Sequence, residues 1–145
     1  AFWVIDRPGS SGREVGGAFF NATLGDWARF GLFICRGGVW ETEPLLPDNW
    51  VANATTTTEA HLAHGQVDKN WRKGYGWHWW TFADRTFQAD GSRGQSIFID
   101  PTRELVVARA SAWPADWVEK YDDQTHAFYE GVMAFVDAKS SGVRE

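Results

Sequence analysis

The four histidines could bind a metal ion, and the serines could act as nucleophiles. His61 and His64 are three residues apart, a spacing that can place two ligands on one face of a helix. No third ligand accompanies them, and the surrounding run TTTTEAHLAHGQ is typical of a loop, so we interpret them as a surface pair and not as a zinc site.

A serine nucleophile needs a partner that accepts its proton. Ser92 or Ser96 with His126 and an aspartate is one such combination, but combinations of this kind arise by chance in any chain.

Several motifs of nucleophilic and phosphate chemistry are missing. The sequence has no Gly-x-Ser-x-Gly, no serine followed three residues later by lysine, and no tyrosine or serine followed two residues later by asparagine. Gly91 and Gly94 precede an apolar, strand-like run and not a helix, so they predict a tight turn and not a phosphate cradle. Cys35 is the single cysteine and fits a small buried hydrophobe. These observations predict no metal site and no cofactor.

Length and composition limit the fold and the partners. The chain has 145 residues, 43% of them hydrophobic and 23% charged, which fits one globular domain. Its net charge is -5 and its basic residues are scattered, so a nucleic-acid partner is not expected. No apolar run reaches the length of a membrane span. The pattern leaves the cellular compartment and the oligomeric state open.

The first half of the chain predicts strands followed by a helix. Ala1–Asp6 and the run 15–20 are typical of strands. Thr23 followed by Asp26 indicates a capped helix start, and Gly37 with its neighbour predicts the helix end. Pro47 suggests the first turn of a short helix, and the Thr-rich stretch after it suggests a long surface excursion.

The second half predicts a sheet and a closing helix. Residues 77–82 form a strand candidate, and residues 96–100 should pair with residues 104–111 across a turn. The nearly continuous apolar runs SIFI and LVVA predict strands covered on both faces. The final helix has one apolar stripe, formed by Phe128, Val132, Phe135 and Val136. We therefore predict an α+β domain: an antiparallel sheet of four or five strands flanked by helices from both ends of the chain.

Four segments, in order, resemble one family of enzymes. GYGWHWW and GSRGQSIFIDPTRELVVARASAW are similar to the C-terminal part of the β-lactamase-related serine hydrolases. This group includes class C β-lactamases, penicillin-binding esterases and 6-aminohexanoate-dimer hydrolases. GGAFFNATLGDWARFGLFICRGGVW resembles the helix that precedes these motifs in the family, and LLPDNWV resembles the segment that follows that helix. The resemblance covers nearly the whole chain.

The resemblance implies part of a serine hydrolase that cleaves an amide or ester bond through an acyl-enzyme. The family's nucleophile and its lysine lie in a Ser-x-x-Lys motif, followed by a tyrosine base, and these 145 residues contain no Ser-x-x-Lys. The chain is therefore expected to be about the last third of such an enzyme, a single-domain fragment. It would supply a pocket wall and be inactive alone, with the catalytic groups upstream. The expected partners are that upstream segment and a small ester or amide substrate.

The family's third motif lies on the strand beside the active site and corresponds here to Asp90-Gly91-Ser92. A shift of one or two residues, which would place Arg93 in the motif, is the alternative register. In the first register Ala89 occupies the position of the family's lysine, which favours an esterase or linear-amide hydrolase over a true β-lactamase. The Ser92 backbone N–H would be the second oxyanion donor, and Gly91 would allow substrate to approach the backbone closely. Arg93 could bind a substrate carboxylate, or it could face solvent at the turn.

Three further residues are weaker candidates for substrate contact. Asn21 matches an asparagine that some family members turn into the pocket, with a role at the start of the helix as its alternative. Trp80 could line the substrate cleft, and His126 could approach that cleft from the last helix. Core packing is the alternative for both residues.

Two other functions stay open at this stage. The first is a non-catalytic binding or regulatory module of the same fold. The second is a carbohydrate-binding β domain in which Trp77, Trp79 and Trp80 stack on sugar rings.

Overall fold

The computed structural model describes residues 1–7, 11–15, 20–68 and 72–142. Its first elements are two short antiparallel strands, β1 (Phe2–Trp3) and β2 (Phe20–Asn21). The predicted strand Ala1–Asp6 therefore contributes only two residues to a ladder, with an isolated bridge between Ile5 and Glu14 beyond it. Residues 16–19 of the second predicted strand lie outside the described residues.

The first helix, α1 (Leu24–Cys35), begins and ends where the sequence predicts. The Thr23 hydroxyl oxygen accepts the Asp26 backbone N–H at 3.1 Å, and the same hydroxyl donates to the Asp26 carboxylate at 2.7 Å. These bonds satisfy a backbone donor that the first helical turn leaves free. Gly37 and Gly38 follow with φ of 73° and 85°, a left-handed conformation that ends the helix.

The middle of the chain is built from short elements. Strands β3 (Val39–Trp40) and β4 (Glu43–Pro44) pair with each other, and α2 spans Trp50–Ala54. The prediction that Pro47 lies in the first turn of this helix is wrong. The helix starts after Asn49, whose φ of 60° is a left-handed conformation that asparagine tolerates well.

The second half of the chain forms one five-stranded antiparallel sheet in which neighbours in sequence are neighbours in space. Its strands are β5 (Gly74–Tyr75), β6 (Trp80–Thr81), β7 (Phe87–Gly91), β8 (Gln95–Asp100) and β9 (Leu105–Arg109). The predicted strand 77–82 is confirmed only at β6, because residues 77 and 78 form a tight turn: the Gly76 N–H donates to the Trp79 carbonyl at 2.8 Å, and His78 has a φ of 64°. The predicted pairing of the last two strands is confirmed.

Helices cover both faces of this sheet, which confirms the α+β prediction. On one face α1 packs on β8 and β9, where Ile97, Ile99 and Ile34 are part of the core cluster. On the other face lies α3 (Glu119–Gly142), whose Tyr129 ring stacks on Phe98 with 4.4 Å between centroids. Among the described residues, none of the helices combines the length and the apolar character needed to cross a bilayer.

The face that α3 turns toward the sheet includes only half of the predicted apolar stripe. Val132 and Val136 are half-buried, whereas Phe128 and Phe135 are 54% and 62% exposed. The buried residues of α3 are Asp122, Thr125, His126 and Tyr129. Polar residues are buried here because the opposing sheet face is also polar, with Gln88, Asp90, Ser96 and Arg109 alternating with the apolar residues that face α1.

Candidate functional site

The turn that joins β7 to β8 contains the residues of the predicted third motif. Gly91 pairs with Gln95 at the end of the ladder, and Ser92–Gly94 form the turn between them. Ser92 therefore lies one residue beyond the last strand pair, and it is exposed. Two consecutive residues of the turn are left-handed, Arg93 with φ of 61° and Gly94 with φ of 83°.

The outer edge of β7 is open beside this turn. β6 pairs only with Phe87 and Gln88, through Thr81 and Trp80 respectively. In the described parts of the chain, no strand pairs with the outer side of residues 89–91. An extended group could therefore align along this edge, which ends at Ser92.

A small cleft borders the same turn on the α3 side of the sheet. Its volume is about 20 Å³, room for about one water molecule. The groups that line it come from the strands, the turn and the segment that leads into α3: Asp90, Gly91, Gly94, Gln95, Arg109, Trp113, Asp116, Trp117 and Asp122. The cleft carries three carboxylates and two indole rings, so its walls combine negative charge with flat apolar surface.

Asp90 is the member of the predicted motif with a perturbed acidity. It accepts a hydrogen bond from the Gln88 amide nitrogen at 2.8 Å. Protein surrounds the carboxyl group on most sides although the residue keeps one face open to solvent, and this desolvation raises the pKa of Asp90. The Lys73 charge and the Gln88 hydrogen bond act in the opposite direction.

Arg93 has an acidic neighbour at the tip of the turn. Its Nε lies 4.0 Å from an Asp116 carboxylate oxygen, and the two side chains are 60% and 81% exposed. The Ser92 hydroxyl donates to the same oxygen at 2.5 Å. A surface pair at this distance is weak, so Arg93 keeps a guanidinium that can bind an anion at the mouth of the site.

The three weaker candidates lie in different places. Asn21 is exposed at the end of β2, in the two-stranded sheet and not in the sheet that carries the turn. Trp80 is half-buried against Tyr75, with 4.8 Å between ring centroids. His126 is 7% exposed and packs edge-on against Phe82. Trp80 and His126 therefore pack against other aromatic side chains, which was the alternative to substrate contact for both residues.

A buried lysine at the centre of the α3 face was missed by the sequence analysis. Lys73 is 1% exposed, and its ammonium lies 3.4 Å from Asp122 and 4.0 Å from Asp68. It also sits over the rings of Trp117 and Trp80, at 5.1 Å and 5.5 Å from their centroids. A polar stripe at helical spacing on α3, with Asp122, Thr125, His126 and Tyr129, was the signal that could have indicated this layer.

The lysine influences the acidity of its neighbours. Burial lowers the pKa of His126 to about 4, and the Lys73 charge acts in the same direction, so the imidazole is neutral at pH 7. Burial raises the pKa of Asp122, while Lys73 opposes that increase. This layer is a structural ion-pair network between the sheet and α3 and not an open site.

Two other places were considered as sites. A larger cavity of about 390 Å³ lies between β9 and α3, but its ionisable members are Arg109 and Tyr121, and Arg109 donates to Ser96 and Thr125. Its lining includes none of residues 90–95, whereas Asp90, Gly91 and Gly94 line the smaller cleft, so we place the site at the smaller cleft. Within the part of the chain that the structure describes, no three histidine, cysteine or acidic side chains are grouped to hold a metal ion.

The aromatic residues of the carbohydrate hypothesis do not form one platform. Trp77 is 52% exposed, whereas Trp79 is 5% exposed and belongs to the core. Trp80 lies on the α3 side under Lys73.

Comparison with protein-family models gives no matching family, and comparison with curated proteins gives no similar sequence.

Proposed function

We propose that this chain supplies the substrate-binding wall, including one oxyanion donor, of a serine hydrolase that cleaves an amide or ester bond through an acyl-enzyme. The observation that carries the proposal is the open outer edge of β7 at residues 89–91, which ends at the exposed Ser92. A sheet edge of this kind can align an acyl group, and the backbone amide at its end can bind the carbonyl oxygen.

The reaction requires a hydrogen-bond donor beside the carbonyl oxygen, where negative charge develops. A serine oxygen attacks the carbonyl carbon, and the carbonyl π electrons move to the oxygen, which becomes negative. Collapse of this intermediate expels the amine or alcohol and leaves an acyl-serine, which water then hydrolyses to the acid. In the proposed reaction the Ser92 N–H stabilises the oxyanion in both steps, and the nucleophile comes from a Ser-x-x-Lys motif outside these 145 residues.

The charges at the edge support a particular substrate class. Ala89 provides no cation on β7, so the strand itself offers no partner for a carboxylate. The cleft carries the carboxylates of Asp90 and Asp116, and the Arg93 guanidinium lies beside Asp116. The missing cation at residue 89 favours an ester or a linear amide over a bicyclic β-lactam acid, while Arg93 at the turn and Arg109 in the cleft remain as cations for an anionic group of the substrate.

The proposal is tested by removing one N–H. In the protein expressed at its natural length, Ser92→Pro deletes the backbone donor, and Ser92→Ala deletes only the hydroxyl bond to Asp116. Proline is sterically acceptable because Gly91 is extended, with φ of -116° and ψ of 162°, the conformation that precedes proline. Hydrolysis of p-nitrophenyl esters should fall about 100-fold to 1,000-fold in kcat for Ser92→Pro and change little for Ser92→Ala.

Covalent labelling gives an independent check. A fluorophosphonate should label the natural-length protein on the serine of a Ser-x-x-Lys motif, and the 145 residues alone should stay unlabelled. Equal activity of Ser92→Pro and the parent, or labelling within these 145 residues, would overturn the proposal.

A further inference from the structure

The segment between β9 and α3 contacts the β7–β8 turn at several points. We call residues 111–117 the strap. The Gln95 side chain donates to the Ser111 carbonyl at 2.5 Å and accepts the Ser111 N–H at 3.3 Å. The Trp113 N–H donates to the Arg93 carbonyl at 3.2 Å. The strap therefore bonds to the strand after the turn and to the turn itself.

Trp113 also fills the space over the turn. Gly94 is buried, and a Cβ at this residue would lie 2.4 Å from the Trp113 ring. The indole is fixed on its other sides by Arg109, 5.2 Å from the ring centroid, and by Tyr121, with 5.8 Å between centroids. Because β9 and α3 both hold this ring, its position over the turn is determined by the sheet and the helix.

The turn needs such support. A non-glycine residue in the left-handed region is strained by about 1–2 kcal/mol, and Arg93 is such a residue. It is followed by a second left-handed residue, Gly94. Strained conformations persist where the surrounding structure holds them, and here the strap bonds to Arg93 itself and to Gln95, which follows the strained pair.

We propose that Gln95 and Trp113 are positioning residues, which hold the turn so that the Ser92 amide points at the developing oxyanion. This inference rests on the proposed function. Both side chains line the cleft, and each joins the strap to the turn: Gln95 bonds to the Ser111 backbone, and the Trp113 ring packs on Gly94. A displacement of about 1 Å at a catalytic group can reduce the rate about 100-fold, so loosening the strap should affect the chemical step.

The test replaces Gln95 by methionine, which keeps the length of the side chain and removes both hydrogen bonds to Ser111. Gln66→Met is the matched control, since Gln66 is exposed and lines neither the cleft nor the cavity that contains Trp113. In the natural-length protein, Gln95→Met should lower kcat about 10-fold to 100-fold with KM little changed. Gln66→Met should leave both constants unchanged.

A double-mutant cycle separates positioning from general stability. In a Ser92→Pro background the amide donor is already absent, so Gln95→Met should lower kcat little further. A merely structural role would give the same fold-loss in both backgrounds and would overturn the inference. Should Gln95→Met fail to fold, Gln95→Glu, which keeps the acceptor for Ser111 N–H, replaces it in the cycle.

Hydrogen exchange provides a measurement that does not depend on activity. Gln95→Met should accelerate exchange at the amides of residues 92–94, with the α1 amides unchanged. If Gln95→Met changed neither the exchange of these amides nor kcat, the inference would be overturned. In that case a lower kcat of Ser92→Pro would still support the proposed function. A fully active Ser92→Pro variant would overturn both.

Discussion

Replacing Gly31 by alanine tests how closely α1 packs on the sheet. A Cβ on Gly31 would lie 2.5 Å from Val106 Cγ1 and 2.9 Å from Ile97 Cγ2. Both distances are well below van der Waals contact, and both neighbours belong to the layer between α1 and the sheet. The added methyl group therefore forces either the two side chains or the helix itself to move.

Two opposing effects determine how much Gly31→Ala changes the free energy of unfolding. Alanine favours a helix interior over glycine by about 1 kcal/mol. Overpacking a filled core costs about 1–3 kcal/mol, and here two contacts are violated at once. We expect Gly31→Ala to lower the free energy of unfolding by about 1–2 kcal/mol.

Gly131 is the matched control, because it is also inside a helix and a Cβ there would meet nothing within 4 Å. Gly131→Ala should raise the free energy of unfolding by about 0.5–1 kcal/mol, since only the helix propensity changes. Urea denaturation followed by tryptophan fluorescence measures both variants under the same conditions. If Gly31→Ala were as stabilising as Gly131→Ala, the packing of α1 on Val106 and Ile97 would be refuted.

The other predictions concern the buried ion pair, a buried histidine and a helix cap. Lys73→Met removes the cation beside a buried carboxylate and should destabilise by about 3–5 kcal/mol, whereas Lys73→Met with Asp122→Leu should recover most of that loss in urea denaturation. His126 has a pKa lowered to about 4 in the folded state from 6.5, so the unfolded state binds the proton more readily, and stability should fall as pH falls from 6.5 to 4. His126→Phe should reduce this pH dependence when urea denaturation at pH 4.5 is compared with denaturation at pH 7. A pH dependence that is the same in both proteins would contradict that pKa. Thr23→Ala removes the acceptor of the Asp26 N–H and should cost about 1 kcal/mol, and a neutral effect would contradict the cap.

Local patterns were sufficient for several elements. The cap at Thr23 and the glycine stop of α1 depend on residues within one or two helical turns, so the sequence predicts them directly. The hairpin of β8 and β9 follows from two apolar runs separated by a turn, and the pairing of these two strands is confirmed. The α+β class follows because apolar strands covered on both faces require helices on both sides of the sheet.

Other elements could not be predicted from spacing. The aromatic run after Gly76 is typical of a strand, yet a backbone bond from Gly76 to Trp79 closes a turn there. The apolar stripe of α3 is only half right, since Phe128 and Phe135 are exposed, because the buried face of the helix depends on which residues the sheet presents. That sheet face includes Gln88, Ser96 and Arg109, which can bond with polar side chains of the helix.

The sequence by itself determined the identity of the turn residues, because Gly91, Ser92 and Arg93 are adjacent in the chain and lie between two predictable strands. Only the tertiary structure decided how that turn is held. The Trp113 N–H donates to the Arg93 carbonyl, and Gln95 meets Ser111 across 16 residues. Such contacts carry no local signal, since they depend on how β9 and α3 bring the strap back over the turn.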